Sequence, residues 1–169
     1  MRDLRIFVLS GWFGQAFSPG MASLSDQLKR YGTTSYHDWN DINVLHQINH
    51  TDNTKHALAV IGFSLGANQL GWIDQFANRR IELGVAYDPS KQSPLVHRSG
   101  NEYFQTVHNY DRLICYYHPG AWVYGGSRYD GSHVETVLYN NTPHLLLQFA
   151  SDLHARTIRE VELLYNKNH

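Results

Sequence analysis

Continuous apolar runs alternate along the chain with stretches in which apolar residues recur every three or four positions. The first pattern predicts strands buried on both faces, and the second predicts helices with one buried stripe. Leu4–Leu9 (LRIFVL) reads as a strand that stops at Ser10-Gly11. Ser18-Pro19 opens a helix, with proline at its first position and Met21, Leu24 and Leu28 on its inner face. Thr33–Tyr36 is a short second strand, and Ile42–Ile48 a weaker helix. His56–Phe63 (HALAVIGF) is the strongest strand, and a helix follows from Ser64 or Leu65 to about Phe76. Ile81–Tyr87 and Tyr103–His108 predict two more strands. Ala121–Tyr124 and Val134–Leu138 suggest an antiparallel edge extension. Pro143–Tyr165 carries Leu146, Phe149, Leu153, Ile158, Val161 and Leu164 at helical intervals, which predicts a closing helix.

Strands alternating with helices predict an α/β fold, a mostly parallel central sheet with helices on both faces. No repeat or linker divides residues 1–169, so one domain is expected. Ligands of such sheets sit outside the carboxyl ends of the strands. Residues just after Leu9, Phe63, Tyr87 and His108 are therefore expected to share one rim.

Composition narrows the chemistry. The 14 Lys and Arg against 15 Asp and Glu give a net charge of −1, which argues against a nucleic-acid groove as the main business. No stretch reads as a membrane span or a signal peptide, so a cytoplasmic protein is expected. The single cysteine, Cys115, excludes an internal disulfide. Eleven histidines raise the question of a metal. His46 and His50 are four apart, but no Glu follows His46 and Cys115 lacks a CxxC partner, so neither metal nor cofactor is expected. The glycines fit neither a dinucleotide nor a phosphate loop.

Gly62-Phe63-Ser64-Leu65-Gly66 matches G-x-S-x-G between a predicted strand and a predicted helix. Such a turn lifts the serine hydroxyl above the sheet. Glycines flank it where strand and helix pass too close for a Cβ. The N–H of Leu65, at the helix start, points where a developing oxyanion would be stabilised.

The run GFSLGANQLG resembles the nucleophile elbow of the α/β-hydrolase superfamily, and its Ser-Leu-Gly-Ala segment is similar to lipases and esterases. The resemblance covers motif and element order across most of the chain. It implies a minimal α/β-hydrolase fold without a cap domain and a Ser–acid–His order. Two acids fit. Asp88, in Ala86-Tyr87-Asp88-Pro89, is similar to the acid segment of pancreatic-type lipases and is preferred. Asp111, in Val107-His108-Asn109-Tyr110-Asp111, resembles the more usual position. The base comes late: His144 in Asn141-Thr142-Pro143-His144 leads over His133, His118 and His154. The second oxyanion donor comes from the loop Ser10-Gly11-Trp12-Phe13-Gly14, with Trp12 preferred over Phe13. Many superfamily members carry His-Gly where this chain has Ser10-Gly11.

The resemblance thus implies a serine hydrolase cleaving a small or polymeric carboxylic ester, or a thioester, through an acyl-enzyme. The alternatives are an acyltransferase and a non-catalytic binding module of the same fold. Aromatic residues at Tyr116, Tyr117, Trp122, Tyr124 and Tyr129 could line a substrate pocket. The short chain leaves no long insertion for a lid, the longest candidate being Tyr116–Ser132, so an open, shallow site is expected.

Overall fold

The computed structural model describes residues 1–90, 104–118, 126–140 and 142–169. In chain order the strands are β1 (Asp3–Leu9), β2 (Thr33–His37), β3 (His56–Phe63), β4 (Leu83–Tyr87), β5 (Phe104–Thr106), β6 (Leu113–Tyr117), β7 (Arg128–Asp130) and β8 (Val134–Leu138). The helices are α1 (Pro19–Leu28), α2 (Asn43–His50), α3 (Leu65–Phe76) and α4 (Ser151–Asn168), with 3₁₀ turns at Gln15–Phe17 and His144–Phe149.

Six strands form one sheet in the order β2-β1-β3-β4-β6-β8, and every pairing is parallel. The apolar runs explain its centre. Alternate residues of β1 enter two different cores. Leu4, Ile6 and Val8 pack with α1 and with Leu153 and Val161 of α4. Phe7 and Leu9 pack with Val44 and Ile48 of α2 and with Ala67, Leu70 and Ile73 of α3. Helices therefore cover both faces, which is why the central strands β3 and β4 carry no polar side, while the edge strands β2 and β8 do.

Two strand expectations change. Val134–Leu138 pairs with β6 in parallel, not as an antiparallel edge. Of Tyr103–His108, only Phe104–Thr106 is strand, and it pairs with β7 in a separate two-stranded ribbon. Its place in the main sheet is taken by Leu113–Tyr117. Consequently His108 is not on the carboxyl rim. Its N–H and that of Asn109 donate to the carboxylate of Asp74, near the far end of α3. The rim is formed by the residues after Leu9, Phe63, Tyr87 and Tyr117. The closing helix is also two pieces, because the 3₁₀ turn His144–Phe149 ends at Ala150 before α4 begins. The piece at Ala121–Tyr124, with Trp122 and Tyr124, lies outside the described residues, as does Tyr103.

Candidate active site

At the end of β3 the chain turns sharply at Ser64, whose φ is 57° and ψ −116°. That conformation is costly for a residue with a Cβ, on the order of 1–3 kcal/mol, and persists only where its surroundings impose it. Here the main-chain N–H of Ser64 donates to the Tyr87 carbonyl at 2.9 Å, and its carbonyl accepts from Ser90 N–H at 3.1 Å. The flanking glycines are required by contact. A Cβ on Gly62 would lie 2.4 Å from the Gly66 carbonyl oxygen, and one on Gly66 would lie 2.3 Å from that of Ser10.

Among the described residues, the non-glycine positions with positive φ are Phe13 (65°), Ser64 and Asp88 (47°). All three are sites that the sequence marks for chemistry. Backbone strain is thus concentrated on this rim.

The structure brings together three segments far apart in sequence. His144 Nε2 lies 3.0 Å from Ser64 Oγ, and His144 Nδ1 lies 2.6 Å from Asp88 Oδ2. Asp88 is fully buried, and its other oxygen accepts backbone N–H groups from His118 (3.0 Å) and Gly126 (2.9 Å). An acceptor so surrounded takes the Nδ1–H of a neutral imidazole, leaving Nε2 to accept from the serine hydroxyl. The Phe63 ring stacks on the imidazole at 5.2 Å between centroids and helps fix its plane.

Asp111 stands elsewhere. It precedes β6, at the amino end of the sheet, where its carboxylate pairs with Arg80 at 2.6 Å. His133 likewise precedes β8, and its carbonyl accepts from Leu113 N–H. His118 touches Asp88 through its main chain. His154 lies within α4, packed edge-on against Tyr87, where burial pulls its pKa below the usual value. His46 and His50 stack on each other at 4.0 Å, and among the described residues no three His, Cys, Asp or Glu side chains group as metal ligands. Cys115 is buried in β6, and burial pushes its thiol up to about 12.

Leu65 is the first residue of α3, so its N–H is one of those a helix start leaves without an intrahelical partner. The loop 10–14 abuts Ser64: a Cβ on Gly11 would lie 3.2 Å from Ser64 Cβ. The N–H of Gly11 is spent on Ser18 Oγ at 3.0 Å, and Asp38 accepts from Gln15 N–H at 2.9 Å. These bonds shape the loop at the place where the superfamily's usual His-Gly is missing. Trp12 stacks on Phe13 at 4.6 Å, and Phe13 leans on Phe17 at 5.4 Å.

Sequence reasoning overlooked two residues. Ser90 Oγ lies 2.9 Å from Ser64 Oγ, and only 1% of Ser90 is exposed. Gln148 ties the two 3₁₀ turns together, accepting from Gly20 N–H and donating to the carbonyls of Phe17 and Leu145. Phe13, Phe17, Leu145, Leu146 and Phe149, in or next to these two turns along the chain, are each more than half exposed. Asp-Pro-Ser reads as a plain turn, and a glutamine inside an apolar run reads as a solvent-facing break, so neither gave a usable signal. Ser64 and His144 are themselves buried, at 3% and 8% exposed. The candidate lid Tyr116–Ser132 lies partly outside the described residues.

No family model matches the chain, and no curated protein matches it in sequence. Solved structures do match. Est1E from Butyrivibrio proteoclasticus aligns with a TM-score of 0.60 at 9% identity, over 96% of this chain and 89% of that one. The Pyrococcus furiosus esterase Pf2001 aligns with a TM-score of 0.57 at 12% identity, over 95% and 83%. The carboxylesterase CesB from Bacillus subtilis aligns at 0.56 and 10%, over 93% and 82%. The chain has the α/β-hydrolase fold. Ser64 stands at the strand–turn–helix junction between β3 and α3. No helix among the described residues is long and apolar enough to cross a membrane.

Proposed function

We propose that this single-domain chain is a serine hydrolase that cleaves carboxylic esters or thioesters through an acyl-enzyme. The observation that carries the reading is the continuous hydrogen-bond chain from Asp88 through His144 to Ser64, at 2.6 and 3.0 Å. Ser64 Oγ attacks the ester carbonyl while its proton passes to His144 Nε2. Asp88 keeps the imidazole in the tautomer that can accept and steadies the imidazolium that forms. The tetrahedral oxyanion is held by the N–H of Leu65 and by one from the 10–14 loop, for which Trp12 is the choice. Collapse expels the alcohol or thiol, which takes the proton from His144. Water then repeats the sequence and frees the acid. The likeness to proteins named as esterases, and the apolar surface at Phe13, Phe17, Leu145, Leu146 and Phe149, support an ester with an apolar acyl group.

A fluorophosphonate probe tests this directly. The parent chain is expected to label at Ser64 and to release a burst of p-nitrophenol from p-nitrophenyl butyrate. Labelling or turnover that survives Ser64→Ala overturns the reading.

A further inference from the structure

Beyond the three residues just assigned, Ser64 Oγ has one more described partner, the hydroxyl of Ser90 at 2.9 Å. We propose that Ser90 is a working part of the nucleophile: its O–H donates to Ser64 Oγ, holds that oxygen toward His144 and bears part of its negative charge whenever the proton is gone. The proposal rests on the Ser64–His144–Asp88 reading above.

Proton counting fixes the direction of the bond. With Asp88 accepting, His144 Nδ1 carries the imidazole's single proton, and Nε2 can only accept. Ser64 therefore spends its one hydroxyl proton on Nε2. The 2.9 Å bond between the two serines must then use the proton of Ser90.

The hydroxyl is not needed to hold the two segments together. Main-chain bonds already do that, from Ser90 N–H to the Ser64 carbonyl at 3.1 Å and from Ser64 N–H to the Tyr87 carbonyl at 2.9 Å. Asp88, two residues before Ser90, is held at φ 47° in the same turn, so acid and second hydroxyl are delivered as one rigid unit. What the Ser90 side chain adds falls on the reacting atom.

The chemistry has two moments that use it. In acylation, Ser64 Oγ loses its proton to His144 Nε2 as the Oγ–carbon bond forms, and a donor aimed at Oγ steadies the charge before that bond is complete. In deacylation, water has given its proton to His144 and added to the acyl carbon. The carbon–Oγ bond breaks, Oγ takes the electron pair, and His144 returns the proton to it. The Ser90 donor eases that departure. Hydrogen bonds to a charged partner are stronger than those to a neutral one, so the gain lies in the transition states rather than in substrate binding.

Pre-steady-state kinetics on p-nitrophenyl acetate read the two steps separately. Ser90→Ala is expected to slow both acylation and deacylation by about 10- to 100-fold, with KM changed less than twofold and Tm close to the parent's. Ser90→Thr, which keeps the hydroxyl, should recover most of the loss. Ser90→Cys, of similar shape but a much weaker donor, should not, and it carries the same test if the alanine variant fails to fold. A folded Ser90→Ala or Ser90→Cys with both rate constants within twofold of the parent overturns the proposal, while an inactive Ser64→Ala beside it leaves the triad standing. A Ser64→Ala variant that keeps the burst overturns both together.

Discussion

Two Ser–His–Asp constellations stand at the carboxyl side of this sheet, and the proposed function draws on only one of them. In the first, Ser64, His144 and Asp88 come from three distant segments at 3.0 and 2.6 Å. In the second, Ser35 and His37 of the edge strand β2 and Asp41 just beyond it are joined at 2.8 and 2.8 Å. By distance alone the two are equivalent. They differ in what surrounds them. Ser64 is forced into a positive-φ turn beside the start of α3, with the 10–14 loop against it. Ser35 lies in regular strand, two residues from its histidine. The helix start nearest to it is already occupied, because Asp41 Oδ1 accepts the Asn43 N–H at 3.0 Å. A chain of hydrogen bonds makes a base; a reaction also needs donors where the oxyanion forms.

Mutating both sets to alanine gives the largest expected contrast. Ser64→Ala or His144→Ala should cost about 10⁴-fold or more in turnover of an activated ester. Ser35→Ala and His37→Ala should leave kcat/KM within twofold and lower Tm by a few degrees, since their bonds tie the end of β2 to the start of α2. Turnover that collapses on His37→Ala in a folded protein would break the distinction.

The acids sharpen it further. Asp88→Asn, which preserves shape but not the tautomer, should lower kcat by about 10³- to 10⁴-fold. Asp111→Asn removes an ion pair in which both partners are half exposed, so kcat should not move and Tm should hardly change. Equal losses from the two variants would contradict the assignment of Asp88.

How much of this could be read beforehand depended on where the information sits in the chain. The ends of β3 and the span of α3 follow from HALAVIGF and the Gly-flanked serine, because apolar continuity, turn and helix are adjacent in sequence. The Ser–acid–His order that the resemblance implies likewise named Asp88 and His144 as candidates, and the fold brings both to Ser64. Sheet membership was harder. YFQTVH, half of it polar, reads as a strand of the main sheet, yet it is the wholly apolar and aromatic LICYY, Leu113–Tyr117, that enters it. The error moved Asp111 to the wrong end of the sheet. Ser90 and Gln148 were invisible for a related reason, since each acts through contacts with segments 26 or more residues away.

A milder substitution probes the elbow itself. Gly66→Ala drives a Cβ to within 2.3 Å of the Ser10 carbonyl oxygen, a contact that must be relieved by moving the loop away from α3. Since the proposed function takes its second oxyanion donor from that loop, kcat is expected to fall at least tenfold, in keeping with a weakened donor. Labelling of Ser64 by fluorophosphonate should fall in parallel. A variant that melts lower yet keeps full kcat would show the loop free to shift without cost to the reaction.

The smallest effect belongs to Asp41 and shows what the second constellation is for. Partial burial would raise its carboxyl pKa, but the hydrogen bonds from His37 and Asn43 outweigh it and hold the carboxyl below the usual value. The unfolded chain therefore takes up this proton first as pH falls. The carboxylate's contribution to stability is full above the ordinary Asp value, about 4, and is lost as pH drops through the lower folded value. Because the side chain is 28% exposed and partly screened, Asp41→Asn should lower Tm by only about 2 °C at pH 7. The gap between parent and variant should close in acid, with kcat unchanged throughout. A gap that stays constant from pH 7 to pH 3 would mean that shape, and not charge, is what Asp41 lends to the join between β2 and α2.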